Sequence, residues 1–291
     1  MSVFFKSYNL VSDSPEPLKW EDYEKKVLED YRILLEQHPE DEKVFQDFFE
    51  KNPAMLPGAF GFFGESGHAP YNNALITQPV LQGLTTKVPD FLWIASDSLN
   101  IYPIFIEIEA PSKKWFNQDS TQTAKFTQAQ SQIQDWKMWY SNPTHQSIFF
   151  QYYDIDKEII EGKSVKPFYV LIYGLREEFE GNPNLNQKRS QLNKNDEIFM
   201  TYDRLTPNIK ARNIITCHVK NRNYSAKYVS PTFRLGPVFA EELSRIKNKE
   251  EAILITEFTK DRKKFLISRL KYWEDFGRMK YKGLMNTGDW E

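Results

Sequence analysis

Cysteine is almost absent from the sequence. Cys217 is the only one among 291 residues, which excludes an intramolecular disulfide framework and any zinc site built from several thiolates. Histidine is nearly as scarce: His38, His68, His145 and His218 are scattered without the spacing of metal ligands. No uninterrupted apolar run approaches the ~20 residues that a membrane helix needs. The opening MSVFFKSYNL lacks the charged and long apolar regions of a signal peptide. A reducing cytoplasm is therefore the expected location, and no membrane partner is expected. A Gly-rich phosphate-binding motif is missing too, so no nucleotide cofactor is expected. The stretch GESGH at 64–68 misses the G-x-S-x-G pattern of a nucleophile elbow. Neither sign of charge prevails: the net charge of −2 leaves a nucleic-acid partner to local patches rather than to overall charge. Internal repeats and low-complexity tracts are also lacking.

What the chain does have is an ordinary globular composition with many aromatics: 40% hydrophobic, 27% charged and 15% aromatic residues. Residues 19–37 predict a surface helix with Trp20, Tyr23, Val27, Tyr31 and Leu34 on one face. A short helix with Val44, Phe45, Phe48 and Phe49 follows, stopped by Asn52-Pro53. The loop from Pro53 to Asn73 is rich in glycine and aromatics and is expected to be ordered by packing. Three strand-like runs come next, ALITQPVLQ, KVPDFLWIAS and IYPIFIEIE. A long helix is then predicted from the stripe Phe126, Ala129, Ile133, Trp136 and Tyr140. FYVLIYG reads as a buried strand, segments 212–219 and 222–230 as a strand pair, and the chain beyond Pro237 as helical. The order points to an α/β or α+β fold around a mixed sheet. The expected division is a helical lead-in at 1–39, a core at 40–236 and a helical extension at 237–291.

The unusual feature is Glu107 and Glu109, two carboxylates at the end of an apolar strand. Side chains alternate along a strand, so both point the same way, with Cα atoms about 6.6 Å apart. If the hairpin before them turns between Ser98 and Leu99, Asp90 falls directly opposite Glu107. Three carboxylates would then converge, an arrangement that raises a pKa unless a cation relieves it. Oxygen ligands with water completing the shell suit Mg²⁺ or Mn²⁺ rather than zinc. The plain alternative is a solvated strand face, and a single bulge would move Asp90 to the other side.

Pro89-Asp90, then Glu107-Ile108-Glu109, then a helix carrying Gln132 resembles the PD-(D/E)xK nuclease superfamily. More narrowly, the chain resembles the Shedu family of bacterial anti-phage nucleases. EKVFQDFFEKNP at 42–53, VPDFLW, IEIEAP, QAQSQIQDW, FYVLIYG and IFMTYDRL carry the likeness, over roughly residues 40 to 206. The resemblance implies a restriction-endonuclease-like mixed β-sheet flanked by helices. It further implies Mg²⁺-dependent hydrolysis of double-stranded DNA, phage or plasmid, by a protein that commonly forms homo-oligomers. Carried over residue by residue, it makes Asp90 and Glu107 metal ligands, with Gln132 and Glu42 supporting and Gln128 a weaker candidate. One position departs from the pattern: Glu109 stands where the family has lysine. Glutamate there offers a general base or a further metal ligand, and Lys113 or Lys114 can supply the missing cation.

The tail segment 258–276 mixes lysines and arginines with Phe258, Phe265 and Tyr272, which recur every seven residues. A packing helix is favoured over a DNA-guiding patch. Arg204, and Lys188 with Arg189, remain open between solvated charges and the lining of a DNA groove. Two other readings stay in view: a catalytically inactive DNA-binding or sensing module, and an interaction protein whose carboxylates lie on a wet strand.

Overall fold

The computed structural model describes residues 6–60, 70–83, 88–279 and 282–291. The GESGH stretch, with His68 and the middle of the loop before Asn73, lies outside the described residues. Helix α1 (Trp20–Gln37) buries Tyr23, Val27 and Tyr31, every fourth residue, as the sequence period requires. Helix α2 (Glu42–Lys51) starts at Asp41, whose carboxylate accepts the Lys43 and Val44 backbone N–H groups at 3.1 and 3.4 Å. It ends at Asn52, because a residue before proline avoids helical backbone.

Among the described residues, nine strands form one mixed sheet: β1 (Ala74–Thr77), β2 (Phe91–Ser96), β3 (Asn100–Ile108), β4 (Ser164–Val165), β5 (Phe168–Ile172), β6 (Glu197–Met200), β7 (Ile215–Lys220), β8 (Asn223–Val229) and β9 (Ile246–Lys247). Their order is β6-β5-β3-β2-β1-β7-β8-β9, with β4 paired to β3 ahead of β5. The hairpin pairs β1–β2, β2–β3 and β7–β8 are antiparallel, and the other neighbours are parallel. Pro103 sits inside β3, a position normally closed to proline. It is accommodated because β4 pairs only up to Ile101 and β5 begins at Ile104, leaving a break opposite the residue that has no N–H to donate.

Alternation along the strands separates two apolar cores. Leu92, Ile94, Phe105, Tyr169 and Leu171 face α3 (Ala124–Ser141), while Phe91, Trp93, Ile104, Ile106 and Val170 face α1 and α2. The five expected stripe residues of α3 are all buried. Asn142-Pro143, which reads as a helix stop, both ends α3 and starts α4 (Pro143–Tyr152): the Asn142 side chain accepts the Thr144 N–H at 2.9 Å and proline takes the first helical position. Short helices α5 (Lys157–Ile160) and α6 (Pro183–Leu192) follow.

Beyond β8, α7 (Ala240–Arg245), α8 (Lys249–Ile255) and α9 (Lys260–Gly277) pack on the same core as β1 and β7. In α9 the fully buried face is Leu266, Leu270, Trp273 and Phe276, whereas Phe265 and Tyr272 of the heptad series are half-buried beside it. Three- and four-residue steps set the contact, as a single straight helix on a core requires. Among the described residues no helix is long and apolar enough to cross a membrane.

Gly174, just after β5, has φ +64°, and a Cβ there would stand 2.6 Å from the Lys113 carbonyl oxygen and 3.0 Å from Trp115 Nε1. Both the backbone conformation and the space demand glycine. Gly174→Ala is expected to destabilise the protein by about 1–3 kcal/mol. Urea denaturation measures it, and an unchanged midpoint would refute the close approach.

Candidate active site

The β2–β3 hairpin has the expected register. Phe91 pairs with Ile106 and Leu92 with Phe105, and the Asp90 N–H donates to the Ile106 carbonyl at 3.1 Å. One step further, Asp90 falls opposite Glu107 on the α3 side of the sheet. Asp90 Oδ2 accepts the Ile108 N–H at 2.8 Å, which fixes its carboxyl against the end of β3. From α3, Gln132 Nε2 donates to Glu107 Oε1 at 2.5 Å. Glu107 Oε2 is buried and, among the described residues, has no hydrogen-bond donor.

The electrostatics follow from that enclosure. Burial, then the neighbouring Asp90 and Glu42 carboxylates, raise Glu107 well above the usual carboxylate range, and the Gln132 bond offsets only part of this. Burial likewise pushes Asp90 up to about 7 against the opposing Ile108 N–H, with Glu42 and Glu50 adding to the rise. The two carboxyl groups lie within hydrogen-bonding reach of each other. If both are ionised neither has a proton to give, so the pair must keep a proton or meet a cation.

Strand β3 ends at Ile108, and Glu109 continues it by one backbone bond, donating its N–H to the Ile172 carbonyl at 3.0 Å. The Glu109 carboxylate is ion-paired with Lys113, whose Nζ also lies 3.6 Å from Glu42 Oε2. Lys113 is presented by a tight turn, its N–H donating to the Ala110 carbonyl at 3.1 Å. The neighbouring Ser112 N–H donates to the Pro39 carbonyl at 3.0 Å, which ties that turn to the chain before α2. Lys114 instead pairs with the exposed Glu177 at 3.0 Å, and Gln128 is exposed. The structure thus brings Asp90, Glu107 and Gln132 together. Beside them, Lys113 joins Glu109 to Glu42.

Among the described residues, no three Asp, Glu, His or Cys side chains form a group that holds a metal ion by themselves. The Asp90–Glu107 pair nevertheless fits a hard divalent cation. Mg²⁺ and Mn²⁺ take one or two protein carboxylates and complete their shells with water and substrate oxygens, and the donor-free Oε2 is an oxygen of the required kind.

Two residues that matter here are not among the expected site residues. Glu50 is buried in α2, where Thr77 Oγ1 donates to it at 2.5 Å and Lys227 Nζ lies 2.5 Å from its other oxygen. Its only mark is a place beside Phe48 and Phe49. Tyr202 is buried and donates its hydroxyl to the Glu109 carbonyl at 2.6 Å, while Asp203 Oδ2 accepts the Arg176 N–H at 2.6 Å. The Tyr-Asp dipeptide is therefore a brace between the end of β6 and the ends of β3 and β5.

A model of the family described as Shedu protein SduA, C-terminal, matches residues 39–206. The match runs from the turn before α2 to just past the Tyr-Asp brace. No curated protein matches the chain.

Because the folded state raises the Asp90 pKa, the stability it contributes is complete below the ordinary carboxylate range and is lost as pH rises through about 7. Asp90→Asn should match the wild type near pH 4. At pH 8 in EDTA it should be more stable by about 1–3 kcal/mol. Urea denaturation across this range tests it, and parallel curves for the two proteins would rule out a buried, opposed pair.

Proposed function

We propose that this chain, which belongs to the Shedu family and so to the proteins of anti-phage defence, hydrolyses phosphodiester bonds of double-stranded DNA with Mg²⁺ or Mn²⁺ held by Asp90 and Glu107. The observation that carries the reading is the buried Glu107 carboxyl opposite Asp90 at the end of β3, with its Oε2 unpartnered among the described residues. A divalent cation bound there supplies positive charge against the negative charge that grows on the phosphorus-bound oxygens.

The chain's own residues divide the remaining work. Gln132 holds Glu107 by one oxygen and leaves the other without a donor. The Ile108 N–H keeps Asp90 aligned with it. Lys113 takes the cationic role of the family's motif lysine, donating to a phosphate oxygen or orienting the attacking water, and Glu109 with Glu42 positions it. Tyr202 steadies the backbone of Glu109. Water then attacks phosphorus in line with the leaving oxygen. Homo-oligomer formation belongs to the same proposal.

A second reading, a DNA-binding module without catalysis, is favoured by one observation: Lys113 is held by two carboxylates. Cleavage of plasmid and linear DNA in Mg²⁺ and in Mn²⁺ separates the two. Wild type should cut, Glu107→Ala should lose about 10³-fold or more, and Lys113→Ala about 10²-fold. Undiminished cutting by Glu107→Ala would overturn the assignment. DNA bound but never cut by the wild type would leave the second reading standing.

A further inference from the structure

The sheet edge that carries the carboxylate pair also carries three arginines. Strands β5 and β6 run parallel to β3, so their C-terminal ends lie on the same side as Glu107. The turns that leave them hold Arg176 and Arg204. One bond ties these turns together, the Arg176 N–H donating to Asp203 Oδ2 at 2.6 Å, and the Arg204 N–H closes the second turn on the Thr201 carbonyl at 3.1 Å. Arg189 reaches from α6 over the Phe179 ring, its Cζ 4.4 Å from the ring centroid, and Phe179 closes the turn that Arg176 opens.

The nearby carboxylates are engaged elsewhere. Glu178 accepts the Trp115 and Phe116 N–H groups at 3.0 and 2.8 Å, Glu177 pairs with Lys114, and Asp203 takes the Arg176 amide. Among the described residues, none of the three guanidinium groups has an ion-pair partner. Partial burial, followed by the charges of Arg204 and Arg176, pulls Arg189 below its ordinary pKa, and the Glu178 carboxylate offsets only part of this. Three like charges gathered on braced turns, with Glu178 the carboxylate that acts on Arg189, still carry an excess of positive charge suited to a bound anion, and planar guanidinium forks match phosphate.

We propose that Arg176, Arg189 and Arg204 clamp the phosphate backbone of the DNA duplex to one side of the bond that is cut. Strand spacing of about 4.8 Å puts β6 about 10 Å from β3. With about 3.4 Å of helix axis per nucleotide in one strand, the clamp engages phosphates about three nucleotides from that bond. The Tyr202 bond to the Glu109 carbonyl fixes this offset, since Arg204 lies two residues further on. The offset rests on the nuclease reading; the binding does not.

The test is fluorescence anisotropy of a labelled 30-bp duplex (about three helical turns) in EDTA over a salt series, beside cleavage in Mg²⁺. The Arg189→Ala/Arg204→Ala variant should lose about tenfold or more in affinity, with a log K against log salt slope about 2 shallower. The corresponding double lysine variant should keep the slope and recover part of the affinity, which separates charge from misfolding. Arg32→Ala, an exposed arginine on α1, should change neither quantity. Unchanged affinity in the double alanine variant, an equal loss in Arg32→Ala, or a wild type that does not bind DNA would each overturn the clamp. A wild type that binds but never cuts, with binding still lost in the double variant, would sink the nuclease reading and leave the clamp intact.

Discussion

Burying two carboxyl groups face to face is the constraint around which this protein is organised. Ionised, Asp90 and Glu107 repel each other in a setting that screens poorly, and the cost grows with every apolar group packed around them. The fold imposes that cost by register: once Phe91 pairs with Ile106, nothing short of a bulge can move Asp90 from Glu107. It then reduces the cost only in part, with one amide from Gln132 and one backbone N–H from Ile108. A site left under-compensated in this way gains affinity for whatever positive charge reaches it.

Glu109, at the position where the resemblance leads one to expect lysine, has a local answer. Glu109 does not join the opposed pair; it holds Lys113, four residues on, and Lys113 also stands near Glu42. A cation is therefore still present at the end of β3, delivered from a turn rather than from the strand. That turn depends on Gly174, because the Lys113 carbonyl lies where any Cβ would be.

Much of the frame was legible in the sequence because its signals are local. Periodic burial gave α1 and α3, the Ser98–Leu99 turn gave the hairpin register, and Asn52-Pro53 gave the end of α2. What escaped depends on contacts distant in sequence. Glu50 looks like one more surface glutamate until Lys227 and Thr77 close on it, and Tyr202 reveals its purpose only when β6 is laid beside β5. Helix α4 was hidden because Asn-Pro serves equally well to stop a helix and to start one. The regular sevens of Phe258, Phe265 and Tyr272 do pack on the core, but at the margin of the contact, whose centre is read in threes and fours.

The order of strands in the sheet also sets an order in time. The Asp90–Glu107 hairpin closes over a few residues and can form within microseconds. Its flank β1, just beyond which the Gln78 backbone N–H donates to the Asp90 carbonyl at 2.8 Å, is itself locked in place by parallel pairing of Ala74 with Ile215. Contacts so far apart along the chain form slowly, since a long loop must close before they repay its entropy. The acidic pair is therefore made by a fast local event and enclosed by a slow distant one, so it passes through an interval in which water still reaches both carboxylates.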